Sequence, residues 1–320
     1  MKTAQKTLCI FIHFGKLAYI PHYVILYLNE LSSFFDEVIL VTNQRSLKTD
    51  FPRANQNLTT LFVKNEGYDL GMFYKVFQTI DSTEYHQIAC VNDSNILFNE
   101  LLPIFTWSKQ SKFDFWGLID SHEKPWFSTH QKNYHMQSHF IVFNQKAILK
   151  LPEYFDTLHI QDIIDEKDIV KLRRTVINEW EIGLSQFLIN EGLSVGSYID
   201  SRDYSLRYLQ GKPANVGYKL YPELIKSGLP LLKLKVITKS KWTAIFRTDT
   251  HWKNMIRQYG NQDWEIEALI QELIQIKSDS GSDRVNNMKQ KFLKVYNSFF
   301  AFKFNAVSAT KIKSFPANQY

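Results

Sequence analysis

With 320 residues the chain can build one large core, or one domain and an appendage. Its composition is that of an ordinary folded protein, and no apolar run nears the roughly 20 residues of a membrane-spanning helix. The net charge of +6 is uneven: seven of the 38 Lys and Arg residues, and no acid, follow Asp283, leaving 31 basic against 32 acidic side chains in residues 1–283. A nucleic-acid-binding body would carry its own basic face, so that class is excluded.

Lys2 and Lys6 precede an apolar run, but only Leu8 to Ile12 passes before His13 and Gly15 interrupt it. That is too short for a secretion signal, so a cytoplasmic protein is expected. The run reads as a first strand ending at His13-Phe14-Gly15. Pro21 to Leu31 has the helical spacing Tyr23, Leu26, Tyr27, Leu31. Glu37–Thr42 is a second strand closing on Asn43, and Leu58–Val63 a third. Tyr68–Ile80 is a helix with Met72, Val76, Phe77 and Ile80 on one side, and His86–Val91 is the fourth strand. Cys9 and Cys90 lie inside strands without metal-ligand spacing and read as small core residues in a reducing compartment. Short apolar runs alternating with helices predict an α/β fold: a mostly parallel central sheet flanked by helices. Ligands collect at the carboxyl ends of such strands, where His13, Asn43, Asn65 and Asp93 fall.

From Lys112 the pattern changes. Phe113–Ile119 and His139–Asn144 read as strands joined by a polar, aromatic loop from His122 to Tyr134. Asp162–Asn190 is mostly helical, with Gly192 as its stop. Leu229–Ile237 is apolar but interrupted by Lys233 and Lys235. Beyond Lys241 the chain is helical and charged: Trp264–Ile276 is amphipathic, Ser278–Asp283 a polar break, and Asn286–Phe300 a basic helix. The expected division is a domain over 1–240 and a helical, basic extension over 241–320.

The stretch Asn65-Glu66-Gly67-Tyr68-Asp69-Leu70-Gly71 carries a strand into a helix through two glycines. Gly67 permits a tight turn or positive φ, and Gly71 permits close packing of helix on sheet. The helix start offers free amides and a favourable dipole to an anion, although glycines are common in ordinary strand-to-helix loops. Asn92-Asp93-Ser94-Asn95 ends the fourth strand with short oxygen-bearing side chains. Mg²⁺ or Mn²⁺ takes one or two carboxylates and completes its shell with diphosphate oxygens, a role for Asp93. An Asx turn would use the same residue types. Glu181, beside the inward positions Ile182, Phe187 and Ile189, is a candidate general base, with Glu179 as its competitor and a solvated helix surface as the alternative. Asp114 either binds a sugar hydroxyl or satisfies a loop amide. Lys233 either snorkels to solvent or meets a phosphate. His135 and His139 lie four apart beside a strand, which is poor spacing for zinc.

Taken in order, these motifs resemble the rhamnan synthesis protein F family of bacterial polysaccharide glycosyltransferases. The resemblance runs through Val38-Ile39-Leu40-Val41-Thr42-Asn43, Asn65 to Gly71, Asn92-Asp93-Ser94, Asp114-Phe115-Trp116-Gly117-Leu118, Gln137-Ser138-His139-Phe140, Glu181-Ile182-Gly183-Leu184-Ser185 and Pro230-Leu231-Leu232-Lys233. It implies a GT-A-like fold, a nucleotide-sugar donor such as dTDP-rhamnose, and a glycan or lipid-linked acceptor in surface-polysaccharide or lipopolysaccharide synthesis. It also implies a divalent metal at Asp93, donor binding by His13, Asn43, Asn65, Gly67, Asp69, Asn92, Asp114 and Lys233, and Glu181 as the base of an inverting displacement. The sequence departs in having Asn43 where an acid is common and a single carboxylate in the metal motif. The basic, aromatic tail suits peripheral association with an anionic inner membrane, or packs on the body. A sugar-phosphate transferase and a non-catalytic subunit of a glycan-assembly complex are the alternatives.

Overall fold

A computed structural model describes residues 6–15, 19–44, 57–238 and 250–278. At the centre of the sheet lies β1 (Lys6–His13), flanked in parallel by β2 (Glu37–Thr42) and β4 (Tyr85–Asn92), with β3 (Leu58–Phe62) parallel to β2 at the edge. β5 (Asn95–Leu97) leaves this sheet. β6 (Phe115–Ser121), β7 (His135–Met136), β8 (Phe140–Asn144) and β9 (Val195–Ile199) complete it. β8 runs antiparallel between β4 and β6, β9 is parallel to β6, and β7 covers the end of β6. The strands through β6 that run with β1 therefore end on one edge, where β8 begins.

Period-two alternation splits the core into two layers. Cys9, Phe11, Val38, Leu40, Ala89 and Val91 face one side, and Leu8, Ile10, Ile12, Val41, Ile88 and Cys90 the other. The first layer is covered by α1 (His22–Leu31) and α3 (Leu102–Gln110). The second is covered by α2 (Tyr68–Phe77), α4 (Gln145–Thr157), α5 (Ile160–Asp165), α6 (Ile169–Val176) and α7 (Leu184–Asn190). Between α6 and α7 the helix widens into a π-helical segment, Ile177–Gly183. The two cysteines are free, buried and on opposite faces, as core residues.

After β9 come α8 (Ser201–Leu209), α9 (Val216–Lys219), α10 (Tyr221–Lys226), β10 (Leu231–Lys233) and α11 (Leu234–Thr238). β10 pairs antiparallel with β5, setting Lys233 opposite Asn95 just beyond the tip of β4. Beyond the expected division at 240, α12 (His251–Tyr259) and the helix over 266–278 do not stand apart. Trp252, Ile256, Leu269, Ile270 and Leu273 enter the same apolar layer as α1 and β1. Glu272 also accepts hydrogen bonds from the backbone N–H of His22 and Tyr23, at 2.7 and 2.9 Å. It thereby caps α1, whose own N-cap is Pro21, a residue with no side-chain acceptor. The expected basic helix over 286–300 lies outside the described residues.

Candidate active site

A cleft of about 480 Å³ opens over the edge where the parallel strands end. Asn65, Tyr68 and Asp69 line it from the start of α2, and Asn92, Asp93 and Ser94 from the end of β4. Arg173 and Glu181 line it from α6 and the π segment. Asn215, Tyr218, Lys233 and Lys235 close it from the later chain. The strand tips near 65 and 93 thus share one cavity with the carboxylate at 181.

The turn into α2 is built on missing side chains. Gly67 has φ +80°, and a Cβ on Gly71 would lie 1.9 Å from the Glu66 carbonyl oxygen. Tyr68 also adopts a left-handed backbone, φ +52°, which is uncommon for an aromatic residue and marks local strain at the cleft wall. Asn92 Nδ2 donates to Asp69 Oδ2 at 3.2 Å. Burial of the carboxyl pushes its pKa up to about 6, with the charge of Glu181 adding to the effect.

Asp93 is held from behind. His13, buried at the end of β1, sets Nδ1 2.6 Å from Asp93 Oδ2, while the Asp93 N–H donates to the Ile12 carbonyl at 3.2 Å. Because a carboxylate only accepts, Nδ1 carries the hydrogen; Nε2 is buried without a hydrogen-bond partner among the described residues. Asn92 Oδ1 accepts from the N–H and hydroxyl of Ser94, at 3.1 and 2.6 Å, so the expected Asx turn is present. Asn92 and Asp93 both line the cleft.

Glu181 rides the π segment, a geometry that shifts side-chain register within a helix and recurs at functional sites. Ser138 donates to its Oε1 from both N–H (3.3 Å) and hydroxyl (2.9 Å). The competitor Glu179 accepts from Asn178 Nδ2 at 2.7 Å and lines a separate hollow near Lys171. Asn178 in turn fastens the loop after β6 through Thr129 and His130. Lys233 does not snorkel. Its ammonium donates to Gln137 Oε1 at 2.6 Å, and burial pulls its pKa down to about 8 against the upward effect of Glu181. Burial and nearby Lys233 also hold the His139 pKa well below the usual histidine range.

Asp114 belongs elsewhere. It precedes β6, at the opposite edge of the sheet, where it accepts from the N–H and hydroxyl of Ser194 (both 2.8 Å) and pairs with Lys146 at 3.2 Å. These bonds outweigh burial and hold its pKa low, so it latches a loop. Asn43 follows Thr42, the register partner of His13, but stands outside the cleft wall, its Oδ1 buried without a hydrogen-bond partner among the described residues. His135 Nδ1 lies 2.6 Å from the Asn133 carbonyl, and among the described residues no three His, Cys, Asp or Glu side chains are grouped to hold a metal. Tyr68, Ser138, Arg173, Asn215, Tyr218 and Lys235 were not expected from sequence. Ser138 and Tyr68 lay inside noted motifs, Gln137-Ser138-His139-Phe140 and Asn65 to Gly71, and Lys235 interrupted an apolar run, but none was assigned a role.

The chain folds as an α/β protein with a mostly parallel central sheet and a cleft at its strand ends. The model of the rhamnan synthesis protein F family matches residues 38–306, and the chain belongs to that family, one of glycosyltransferases of polysaccharide synthesis. No curated protein matches the sequence. Among solved structures, the chain is similar to a protein described as a glucose-1-phosphate thymidylyltransferase from Bacillus anthracis, in complex with sucrose. The identity is 9%, covering 61% of this chain and 86% of that one, with a TM-score of 0.37. It is also similar to 4-diphosphocytidyl-2C-methyl-D-erythritol synthase from Anaerococcus prevotii, at 13% identity, 61% and 89% coverage and a TM-score of 0.35. Scores this low carry no functional argument.

Proposed function

We propose that the protein is an inverting, GT-A-like rhamnosyltransferase that moves a sugar from a nucleotide donor such as dTDP-rhamnose to a glycan or lipid-linked acceptor. One observation carries this reading: Asp93 and Glu181, from distant parts of the chain, line the same cleft with Arg173, Lys233 and Lys235. Carboxylates for proton removal therefore face cations suited to a departing diphosphate.

Glu181 accepts the proton of the acceptor hydroxyl as that oxygen attacks the anomeric carbon. The bond from that carbon to the diphosphate breaks with its electron pair on the leaving oxygen, where Lys233, Arg173 and Lys235 offset the developing charge. Asn65 and Asn215 offer polar groups to the sugar. One carboxylate, with one oxygen committed to His13, suits only a cation whose remaining oxygens come from a diphosphate. When bound at Asp93, Mg²⁺ or Mn²⁺ would supply further charge neutralisation to the leaving group.

Among the described residues no helix is long and apolar enough to cross a membrane. The basic tail after Asp283 would bring the enzyme to the anionic cytoplasmic face of the membrane, where a lipid-linked acceptor lies.

Glu181→Gln tests the reading. Turnover should fall by roughly 10²–10⁴-fold, while the thermal shift given by dTDP-rhamnose with Mn²⁺ persists. Near-normal turnover in the variant would remove Glu181 as the base. Release of nucleoside monophosphate instead of diphosphate would favour a sugar-phosphate transferase, and no donor cleavage at high protein concentration would favour a non-catalytic subunit.

A further inference from the structure

Lys233 is a partly buried cation held by a neutral group. Its ammonium donates to Gln137 Oε1 at 2.6 Å and forms no ion pair among the described residues. Lysines elsewhere behave otherwise: Lys6, Lys75, Lys146, Lys150 and Lys171 each pair with a carboxylate. Withdrawing an ammonium from water is costly, and the usual remedy is an acid in contact with it. Around Lys233 the acids Glu181 and Glu123 act through charge alone, and Lys235 opposes them. All the same, the lysine stands on the cleft wall with Arg173 and Asp93.

The neutral holder is itself fixed. Gln137 is buried just after β7, where its N–H donates to the Ile119 carbonyl at 3.1 Å and its Nε2 to the Asp120 carbonyl at 3.3 Å. These partners decide how the amide sits: a carbonyl only accepts and an ammonium only donates, so Nε2 meets the β6 backbone and Oε1 meets Lys233. The strand places the lysine as well. β10 sets Lys233 opposite Asn95, and the Leu234 N–H donates to the Ser94 carbonyl at 2.9 Å, one residue beyond Asp93. α9 passes close to the stem, since a Cβ on Gly217 would lie 3.0 Å from Lys233 Cε. Head, stem and backbone of the lysine are all located.

The chemistry of the acceptor then matters. A carboxylate at 137 would grip the ammonium more strongly but would cancel its charge inside the cleft. An amide of the same length keeps the grip, leaves the positive charge uncompensated and leaves the ammonium further hydrogens to donate. We propose that Gln137 is a positioning residue that holds Lys233 with a neutral acceptor, so that the full positive charge of the lysine is kept for the diphosphate of the donor. The proposal rests on the reading that Lys233 meets that diphosphate. Gln137 acts through the lysine and touches neither sugar nor phosphate. The Lys233 pKa, about 8, leaves most of the group protonated at neutral pH.

The test measures binding of dTDP and of inorganic pyrophosphate to the full chain by titration calorimetry with Mg²⁺ present. Gln137→Glu should weaken both ligands by roughly 10–100-fold, and by more than Gln137→Leu does. A merely structural glutamine predicts the reverse order, because glutamate keeps the length and the acceptor whereas leucine loses the acceptor. In a Lys233→Met background, Gln137→Leu should cost nothing further, since its effect is carried by the lysine. Melting curves identify a variant that fails to fold; if Gln137→Glu is lost in that way, the Leu and Met cycle decides. Wild-type affinity in Gln137→Glu, a greater loss in Gln137→Leu, or additive losses in the cycle would overturn the proposal. So would a loss confined to dTDP, which would place the effect at the nucleoside, or a wild-type chain that binds neither ligand. Glu181→Gln with normal turnover removes the base and leaves the lysine tether standing, whereas an indifferent Gln137→Glu removes the tether and leaves the displacement intact.

Discussion

Asp69 shows how one side chain can weaken the fold in favour of the site. Its pKa rises from the ordinary 3.8 to about 6 because folding buries the carboxyl and brings Glu181 near. The folded state then binds the proton more tightly than the unfolded chain does. The stability this group contributes is full below about pH 4 and is lost as pH rises through 6; above that, ionised Asp69 costs on the order of 2–3 kcal/mol. Asp69→Asn, which keeps the shape and discards the charge, should therefore raise Tm at pH 8 and leave it nearly unchanged at pH 4. Melts at both pH values check this, and an equal Tm difference at the two would refute the assignment of the cost to ionisation. At this scale the sequence was a partial guide. Gly67, Gly71 and Asp93 could be picked out because turn chemistry and strand ends are local. Asp114 looked equally suited to a ligand, and nothing in its neighbourhood told that Ser194, eighty residues away, would claim both its bonds.

At the scale of elements, the site depends on pieces that arrive from far along the chain. β10 pairs with β5 and delivers Lys233 to the tip of β4, and the π segment brings Glu181 against Ser138. Apolar periodicity indicated that Asp162–Asn190 was helical, and it is, in three α-helices and the π turn. The extra residue per turn left no mark in that pattern, because widening a helix locally depends on what packs against it. The same limit explains the division expected near 240. A change toward charged, helical sequence suggested an appendage, yet the amphipathic face of 266–278 lies in the principal core and Glu272 caps α1. A chain ended at residue 240 would expose the surfaces that Trp252, Ile256, Leu269 and Leu273 cover and would leave the α1 amides uncapped. It should lose cooperative urea unfolding and bind a hydrophobic dye. A sharp, native-like transition in that fragment would show that the later helices are dispensable.

Over the whole molecule, charge is separated from chemistry. Residues 1–283 are close to neutral, with the cleft's cations set among its acids, while the excess positive charge follows Asp283. A polybasic segment gains about 1 kcal/mol per charge at an anionic bilayer. The full chain should therefore float with phosphatidylglycerol-containing liposomes, and a chain lacking residues 284–320 should float much less, the difference shrinking in high salt. Equal flotation of the two would end the idea of a tail-borne anchor.

The first four strands with the helices between them, and the buried place of both cysteines, were written in the sequence, because each follows from local periodicity and turn chemistry. The family, too, was legible in its ordered motifs. The entry of Glu181 rather than Glu179 into the cleft, the place of Asp114 away from it and the burial of Lys233 belong to tertiary structure. Those depend on which side chains from remote segments reach one another, and on how much water their meeting excludes.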